Sequence, residues 1–213
     1  MKEKIRRRHD ILRFGMLLHE RGFVAATDGN LSVRLDRQSI LITPTGISKG
    51  MMQPQDLVVV DIEGHKLAGR RSVSSEIAMH LLIYKMRPDI NAVVHAHPPV
   101  ATGYAAAGIP LNAALVCEAA IGLGAVPLAP YATPGTPELT DVLGPLIPEH
   151  EAILMANHGV VTYGEDLPRA YMKMELVEHF AGIALVTRLL GQQQLLTSEQ
   201  LEELATARQK MSL

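Results

Sequence analysis

Three histidines stand out by type and place. His95 and His97, one residue apart, close the apolar run Ala92-Val93-Val94, and His158, between Asn157 and Gly159, closes a second run from 152 to 155. Alternate residues on a strand point the same way, so His95 and His97 can grip one ion, and a histidine from a neighbouring strand would complete a three-nitrogen site. Such a set leaves a coordination position for a substrate. Imidazoles without cysteine suit Zn²⁺, and the same donors take Mn²⁺, Fe²⁺ or Co²⁺ according to supply. Glu76 follows Ser74-Ser75 at the start of a helical pattern and lies on the line of Met79, Ile83 and Met86. An acid in the first turn after a Ser cap is favoured by the helix dipole alone. On the inward face, however, a carboxylate needs a partner; a cation supplies one, and the carboxylate could then take or give a proton. The chemistry indicated is that of a metal-dependent enzyme.

Three short polar clusters could hold an anion: Gly29-Asn30, Thr45-Gly46 and Ser74-Ser75. Each offers hydroxyl, amide or backbone N–H groups, and the last opens a helix whose dipole favours phosphate. None matches G-x-x-x-x-G-K-[ST] or G-x-G-x-x-G, so a nucleotide is not indicated and a phosphate monoester stays open. Glu118 is an exposed acid or a second proton-transfer group. Its neighbour Cys117 reads as a small buried residue, having no adjacent base. His80, one turn after Glu76, reads as structural or as support to the site. His9, His19, His65, His150 and His179 read as structural, and the run Arg6 to Arg8 as a solvated helix face.

The elements that must position these residues follow from periodicity. Residues 5 to 21 form a helical pattern that Gly22 ends. Residues 31 to 35 and 40 to 43 read as a hairpin, 57 to 62 as a strand, and 66 to 68 as its short return. From Ser74 the period becomes helical until Pro88 stops it. Residues 92 to 95 read as a buried strand, 100 to 107 as a small-residue helix, 126 to 128 as a short strand, 137 to 146 as a helix, and 152 to 155 as a strand. Asp166, with Pro168 just inside, opens a long helix through Leu189, and 197 to 211 make the last one. The architecture expected is α/β: an αβα layered sandwich with a central, mostly antiparallel sheet.

Composition narrows the partners. The 213 residues carry 20 Lys and Arg against 22 Asp and Glu, for a formal charge of -2. That near-balance gives no general pull towards nucleic acid or an anionic membrane. No apolar stretch approaches the roughly 20 residues of a membrane span, and the basic N-terminus runs into a mixed helical pattern in place of a signal-peptide core. The lone cysteine cannot form an internal disulfide, which suits the cytoplasm. With no linker or shift of composition, residues 1–213 read as one domain.

Together these residues resemble the class II aldolase and adducin-head family. The likeness runs from about Gly22 to Leu190 and rests on the ordered motifs DGNLSVR, LITPTGIS, SSE, AVVHAHP, PLAPYATPGT and NHG. It implies that His95, His97 and His158 ligate zinc, with Glu76 as fourth ligand and catalytic acid/base, and that Gly29, Asn30, Thr45, Gly46, Ser74 and Ser75 cradle the substrate phosphate. It further implies a homotetramer with active sites between subunits. The reaction implied is reversible cleavage of a ketose 1-phosphate to dihydroxyacetone phosphate and an aldehyde, the metal acting as Lewis acid on the fragment that takes up negative charge. The intact histidine triad separates the chain from adducin-type binding modules, and Glu after the Ser pair resembles aldolases more than 4-epimerases. Two tyrosines that fuculose-phosphate aldolases use for the aldehyde half have no counterpart: the region after Ile109-Pro110 reads LNAALVCE, and no tyrosine follows Tyr171. That opens the substrate range to deoxy- and methylthio-pentulose phosphates. Glu118 lies near a glutamate of methylthioribulose-1-phosphate dehydratases, which makes a dehydratase or another sugar-phosphate lyase the alternative.

Overall fold

Strand alternation and helical stripes together build three layers. The computed structural model describes residues 2–211. Along the chain run α1 (Lys2–Glu20), β1 (Asn30–Asp36), β2 (Ser39–Ile42), β3 (Val58–Asp61), β4 (Lys66–Ala68), α2 (Ile77–Met86), β5 (Ala92–Ala96), α3 (Pro99–Ala106), α4 (Cys117–Gly122), β6 (Leu128–Ala129), α5 (Pro137–Leu143), β7 (Ala152–Met155), β8 (Gly159–Gly164), α6 (Leu167–Leu189) and α7 (Ser198–Met211). The eight strands form one sheet in the order β4-β3-β2-β1-β5-β8-β7-β6, antiparallel throughout except for the β6–β7 pair. This is the mixed α/β, mostly antiparallel architecture expected from the sequence.

Side-chain parity divides the interior in two. Leu31, Val33, Ala92, Val94, Ala96, Leu154 and Val160 pack with buried residues of α1, α3 and α6. The alternate residues Ile40, Ile42, Val93, Ile153, Val161 and Tyr163 pack beneath α2 and α5. The α6 stripe of Leu167, Ala170, Tyr171, Met174, Val177, Ala181 and Ala184 keeps helical spacing, and the Asp166 carboxylate caps it by accepting from the Arg169 N–H at 2.8 Å. By the same parity Asn30, Ser32 and His95 turn towards α2. Because β8 is antiparallel to both β5 and β7, those two strands run the same way. His95 near the end of β5 and His158 just past β7 therefore arrive at the same end of the strands.

Three elements differ from the sequence reading. β8 was not separated from the turn carrying His158, although Val160-Val161-Thr162-Tyr163 is β-rich, because the Gly159 beside His158 masks the restart. α4 was missed; its six residues give too short a period to see. The helix expected from Ser74 starts at Ile77, so Glu76 is its N-cap residue instead of a first-turn acid. Cys117, expected buried, is exposed at the start of α4. No helix among the described residues is long and apolar enough to cross a membrane.

Leu154 is fully buried in β7 between β6 and β8. Leu154→Ala is expected to cost roughly 2–5 kcal/mol in urea unfolding, the range for an aliphatic truncation that leaves a cavity. A loss below about 1 kcal/mol would contradict this packing.

Candidate metal centre and active site

His95 comes from the last turn of alternation in β5, is fully buried, and is oriented by its neighbour strand: Nδ1–H donates to the Val160 carbonyl at 2.9 Å. That bond leaves the Nε2 lone pair free. His97 lies just past the strand, where its backbone N–H donates to the Phe23 carbonyl at 2.8 Å. His158 sits in the β7–β8 turn, which Asn157 enters with a φ of 56°, a conformation that asparagine tolerates better than most residues. The three rings stand 4.7 to 5.3 Å apart between centroids. Gly159 makes this approach feasible, since a Cβ there would lie 2.5 Å from His97 Cδ2 and 2.7 Å from the Ala96 carbonyl oxygen.

Glu76 closes the cluster from the helix side. Its Oε2 lies 3.3 Å from His95 Nε2 and its Oε1 3.2 Å from His158 Nε2, while His97 Nε2 is 3.1 Å from His95 Nε2. The Asn30 amide donates to Oε2 at 2.8 Å, and the backbone N–H of Glu76 donates to Ser74 Oγ at 3.3 Å. Burial would raise the Glu76 carboxyl, but the pull of His95 and His158 and the hydrogen bond from the Asn30 amide outweigh it and hold the group well below the usual carboxylate range. Burial pushes His95 down to about 3, and His97 is lowered first by burial and then by His158. The site thus presents an anion beside two imidazoles, His95 and His97, biased towards the neutral form.

That donor set fits a divalent cation. The three histidines offer one ligand atom each within 4.8 Å of one another, and metal ligation requires neutral imidazole and ionised carboxylate. Among the described residues, Glu76 Oε1 and His158 Nδ1 are buried without a hydrogen-bond partner.

The three polar turns meet next to this cluster. Gly29 and Gly46 both take positive φ, +72° each. The Thr45 N–H donates to the Ser72 carbonyl at 3.3 Å, and Pro44 pairs with Val73, which draws the 45–46 turn against the segment leading to Ser74. Gly135 crosses the same segment so closely that a Cβ would lie 3.2 Å from the Ser75 carbonyl oxygen. Lys49, only 2 % exposed, donates to the carbonyls of Thr27 and Ile47 at 2.8 Å each and so ties the first two turns together. Thr45, Gly46 and Ser75 are exposed, Gly29 is half-buried and Ser74 is buried. The buried side chain of Asn30 donates to Glu76 and accepts from His80. Glu118 stands exposed on α4 and, among the described residues, makes no hydrogen bond or ion pair with the histidines. Sequence reasoning missed Lys49, which carries no local motif, as well as Gly159, Ser32 and Tyr84. Of these, Ser32 and Tyr84 had a readable signal in their spacing from Asn30 and Glu76.

Residues 9–185 match the description of the class II aldolase and adducin N-terminal domain. The chain belongs to that family. Among class II aldolase relatives it is 34% identical over 199 residues to 5-deoxy-D-ribulose 1-phosphate aldolase of Bacillus thuringiensis serovar kurstaki, an alignment that covers 93% of each chain. It is 36% identical to 3-oxo-tetronate 4-phosphate decarboxylase of Haemophilus influenzae over 80% of this chain and 83% of that one. The solved structure of an L-fuculose 1-phosphate aldolase superposes with a TM-score of 0.88 at 35% identity, covering 95% of this chain and 96% of the other.

Two outcomes follow from the geometry. Gly159→Ala should push His97 and the Ala96 carbonyl apart and weaken divalent-metal affinity by about 10-fold or more, the scale on which support to a metal site acts, as read by competition with a chromophoric chelator. Unchanged affinity would show that the rings do not depend on that close approach. Lys49 gives a pH signature. Burial lowers its ammonium from 10.5 to about 8, against the raising pull of Asp28 and Glu76. Between those values the unfolded chain binds more protons than the folded one, so the contribution of Lys49 to stability rises with pH through that window. Wild type should therefore gain on Lys49→Met by up to ~2 kcal/mol between pH 8 and pH 10 in urea unfolding. A difference independent of pH would contradict the desolvated ammonium.

Proposed function

We propose that this chain is a metal-dependent aldolase that reversibly cleaves a ketose 1-phosphate, of the 5-deoxyribulose, methylthioribulose or fuculose type, to dihydroxyacetone phosphate and an aldehyde. The observation that carries this reading is a single desolvated carboxylate, Glu76, within 3.3 Å of two of three converging histidines, next to turns able to hold a phosphate. His95, His97, His158 and Glu76 would hold the ion, Zn²⁺ by their chemistry and Mn²⁺, Fe²⁺ or Co²⁺ as substitutes. When bound, it would supply Lewis-acid stabilisation of the negative charge left on the three-carbon fragment. Gly29, Asn30, Thr45, Gly46, Ser74 and Ser75 would clamp the phosphate and so fix the orientation of the bond that breaks. Glu76 would carry the proton exchanged with the fragment. Asn30 serves that carboxylate.

The decarboxylase relatives support a second reading within the same chemistry. Loss of CO₂ from a 3-oxo-tetronate 4-phosphate and aldol cleavage of a ketose 1-phosphate both break the bond to a hydroxyl-bearing carbon beside the carbonyl, and both leave dihydroxyacetone phosphate. What differs is the half that departs. A dehydratase would need an acid such as Glu118 near the reacting carbon, and in a single chain Glu118 lies outside the cluster.

We read residues 1–213 as one domain of a cytoplasmic homotetramer with sites between subunits. Support for subunit contact comes from the end of α6, where Val186, Leu189 and Leu190 are 54%, 78% and 76% exposed, an apolar patch of the kind that marks an interface.

A coupled assay for dihydroxyacetone phosphate tests the reaction, using metal-loaded and chelator-stripped protein on fuculose, 5-deoxyribulose, methylthioribulose and 3-oxo-tetronate phosphates. Metal-dependent release with an aldehyde as co-product is the expected result; release only with CO₂ would select the decarboxylase, and no release from any substrate would overturn both. Glu76→Gln should lower kcat by about 10²–10⁴-fold while the protein still takes up metal.

A further inference from the structure

Behind Glu76, on the side away from the histidines, a row of polar side chains runs through the layer between β1 and α2. The strand contributes Asn30, Ser32 and Arg34 at a spacing of two, and the helix side contributes Glu76, His80 and Tyr84 at a spacing of four. Two strand residues advance about 6.8 Å and four helical residues about 6 Å, so the two rows stay in step over this length. Asn30 donates to Glu76 and accepts from His80 Nε2. Ser32 Oγ lies 2.6 Å from His80 Nδ1 and 2.8 Å from the Tyr84 hydroxyl. Arg34 donates to the Tyr84 carbonyl at 2.9 Å and places its guanidinium 4.8 Å from the Tyr84 ring centre. Asn30, Ser32, His80 and Tyr84 are all at most 4% exposed.

The direction of every bond in this row follows from its first member. An ionised carboxylate only accepts, so the NH₂ of Asn30 must face Glu76 and its carbonyl must face His80. His80 then carries its proton on Nε2 and offers a lone pair on Nδ1. Ser32 donates to that lone pair and accepts from the Tyr84 hydroxyl. With Asn30 reversed, two acceptors would meet in a buried site, a desolvation penalty with no compensating bond.

We infer that His80 is a positioning residue for the reaction: by locking the Asn30 amide it reserves Glu76 Oε2 as a hydrogen-bond acceptor and leaves Oε1 as the oxygen that carries the exchanged proton. Oε1 makes no hydrogen bond with this row and faces the histidines, 3.2 Å from His158 Nε2. Without His80 the amide can flip, and the two oxygens lose their distinct roles. The inference rests on the reading of Glu76 as the acid/base.

The test has one arm independent of turnover. Imidazole ¹⁵N NMR on metal-free wild-type protein should show His80 as a neutral Nε2–H tautomer at pH 7; a neutral Nδ1–H ring, or a charged one, overturns the inference. In the kinetic arm, His80→Gln keeps a donor and an acceptor on one amide, whereas His80→Leu keeps neither. His80→Leu should lower kcat by about 10–100-fold, with KM and metal content within about twofold of wild type, and His80→Gln should recover most of the loss. Equal loss in both variants, or loss carried by KM, would overturn it. If His80→Leu does not fold, Ser32→Ala decides in its place: a drop in kcat alone supports the row, and wild-type kcat overturns it. Full activity of Glu76→Gln would sink the acid/base reading itself, whereas an Nδ1–H ring on His80 sinks only the positioning role.

Discussion

A negative charge held out of water at the ends of the strands is the constraint on which the rest of this molecule depends. Isolated, a carboxylate as buried as Glu76 would take up a proton. It stays ionised because polar groups face it from two sides: His95 and His158 from the strand ends, and the Asn30 amide, which donates to it, from β1. Each of those groups is fixed by something further back. The Val160 carbonyl sets His95, the Asn157 turn sets His158, and the row ending at Tyr84 sets Asn30. The sheet order, with β1 beside β5 and β5 beside β8, is what lets one carboxylate be served from both directions.

Much of this was legible in the sequence, and the illegible parts have physical causes. The period-two strands, the stop at Pro88 and the Asp166 cap are local signals, and the structure follows them. The matched apolar runs before His95 and before His158 indicated shared use, and the two strands do run the same way, with β8 between them. β8 itself was hidden because a strand starting at a glycine directly after a turn has no boundary in the pattern. Asn30 reads as part of a turn because Gly-Asn is a turn signal; its hydrogen bond to a carboxylate 46 positions away is what no local pattern reveals. Lys49 was invisible for the same reason. A lysine in a loop reads as solvated until the tertiary fold closes two carbonyls around it.

Membership of the class II aldolase and adducin N-terminal domain family places the chain among relatives that are named both aldolases and decarboxylases. A fold does not choose between such reactions, and the features best defined in this chain belong to the part both share: a charge-stabilising cluster beside turns suited to a phosphate. The discriminating contacts would be those with the departing half. By the family resemblance, the segment after Ile109-Pro110, where Glu118 stands exposed, is the place to look for them.

The placement of the donors along the chain also bears on how an ion and the fold come together. His95 bonds to a carbonyl 65 positions away, and Asn30 to a carboxylate 46 positions away, so no short stretch of polypeptide contains the whole set. An unfolded or half-synthesised chain presents an ion with little more than His95-Ala96-His97. A complete donor set would form only after β5, β7 and β8 have paired, and contacts this distant are costly to close early. An ion that binds the native chain far better than the disordered one shifts the equilibrium by mass action, so cellular metal supply would set the abundance of this protein as well as its activity.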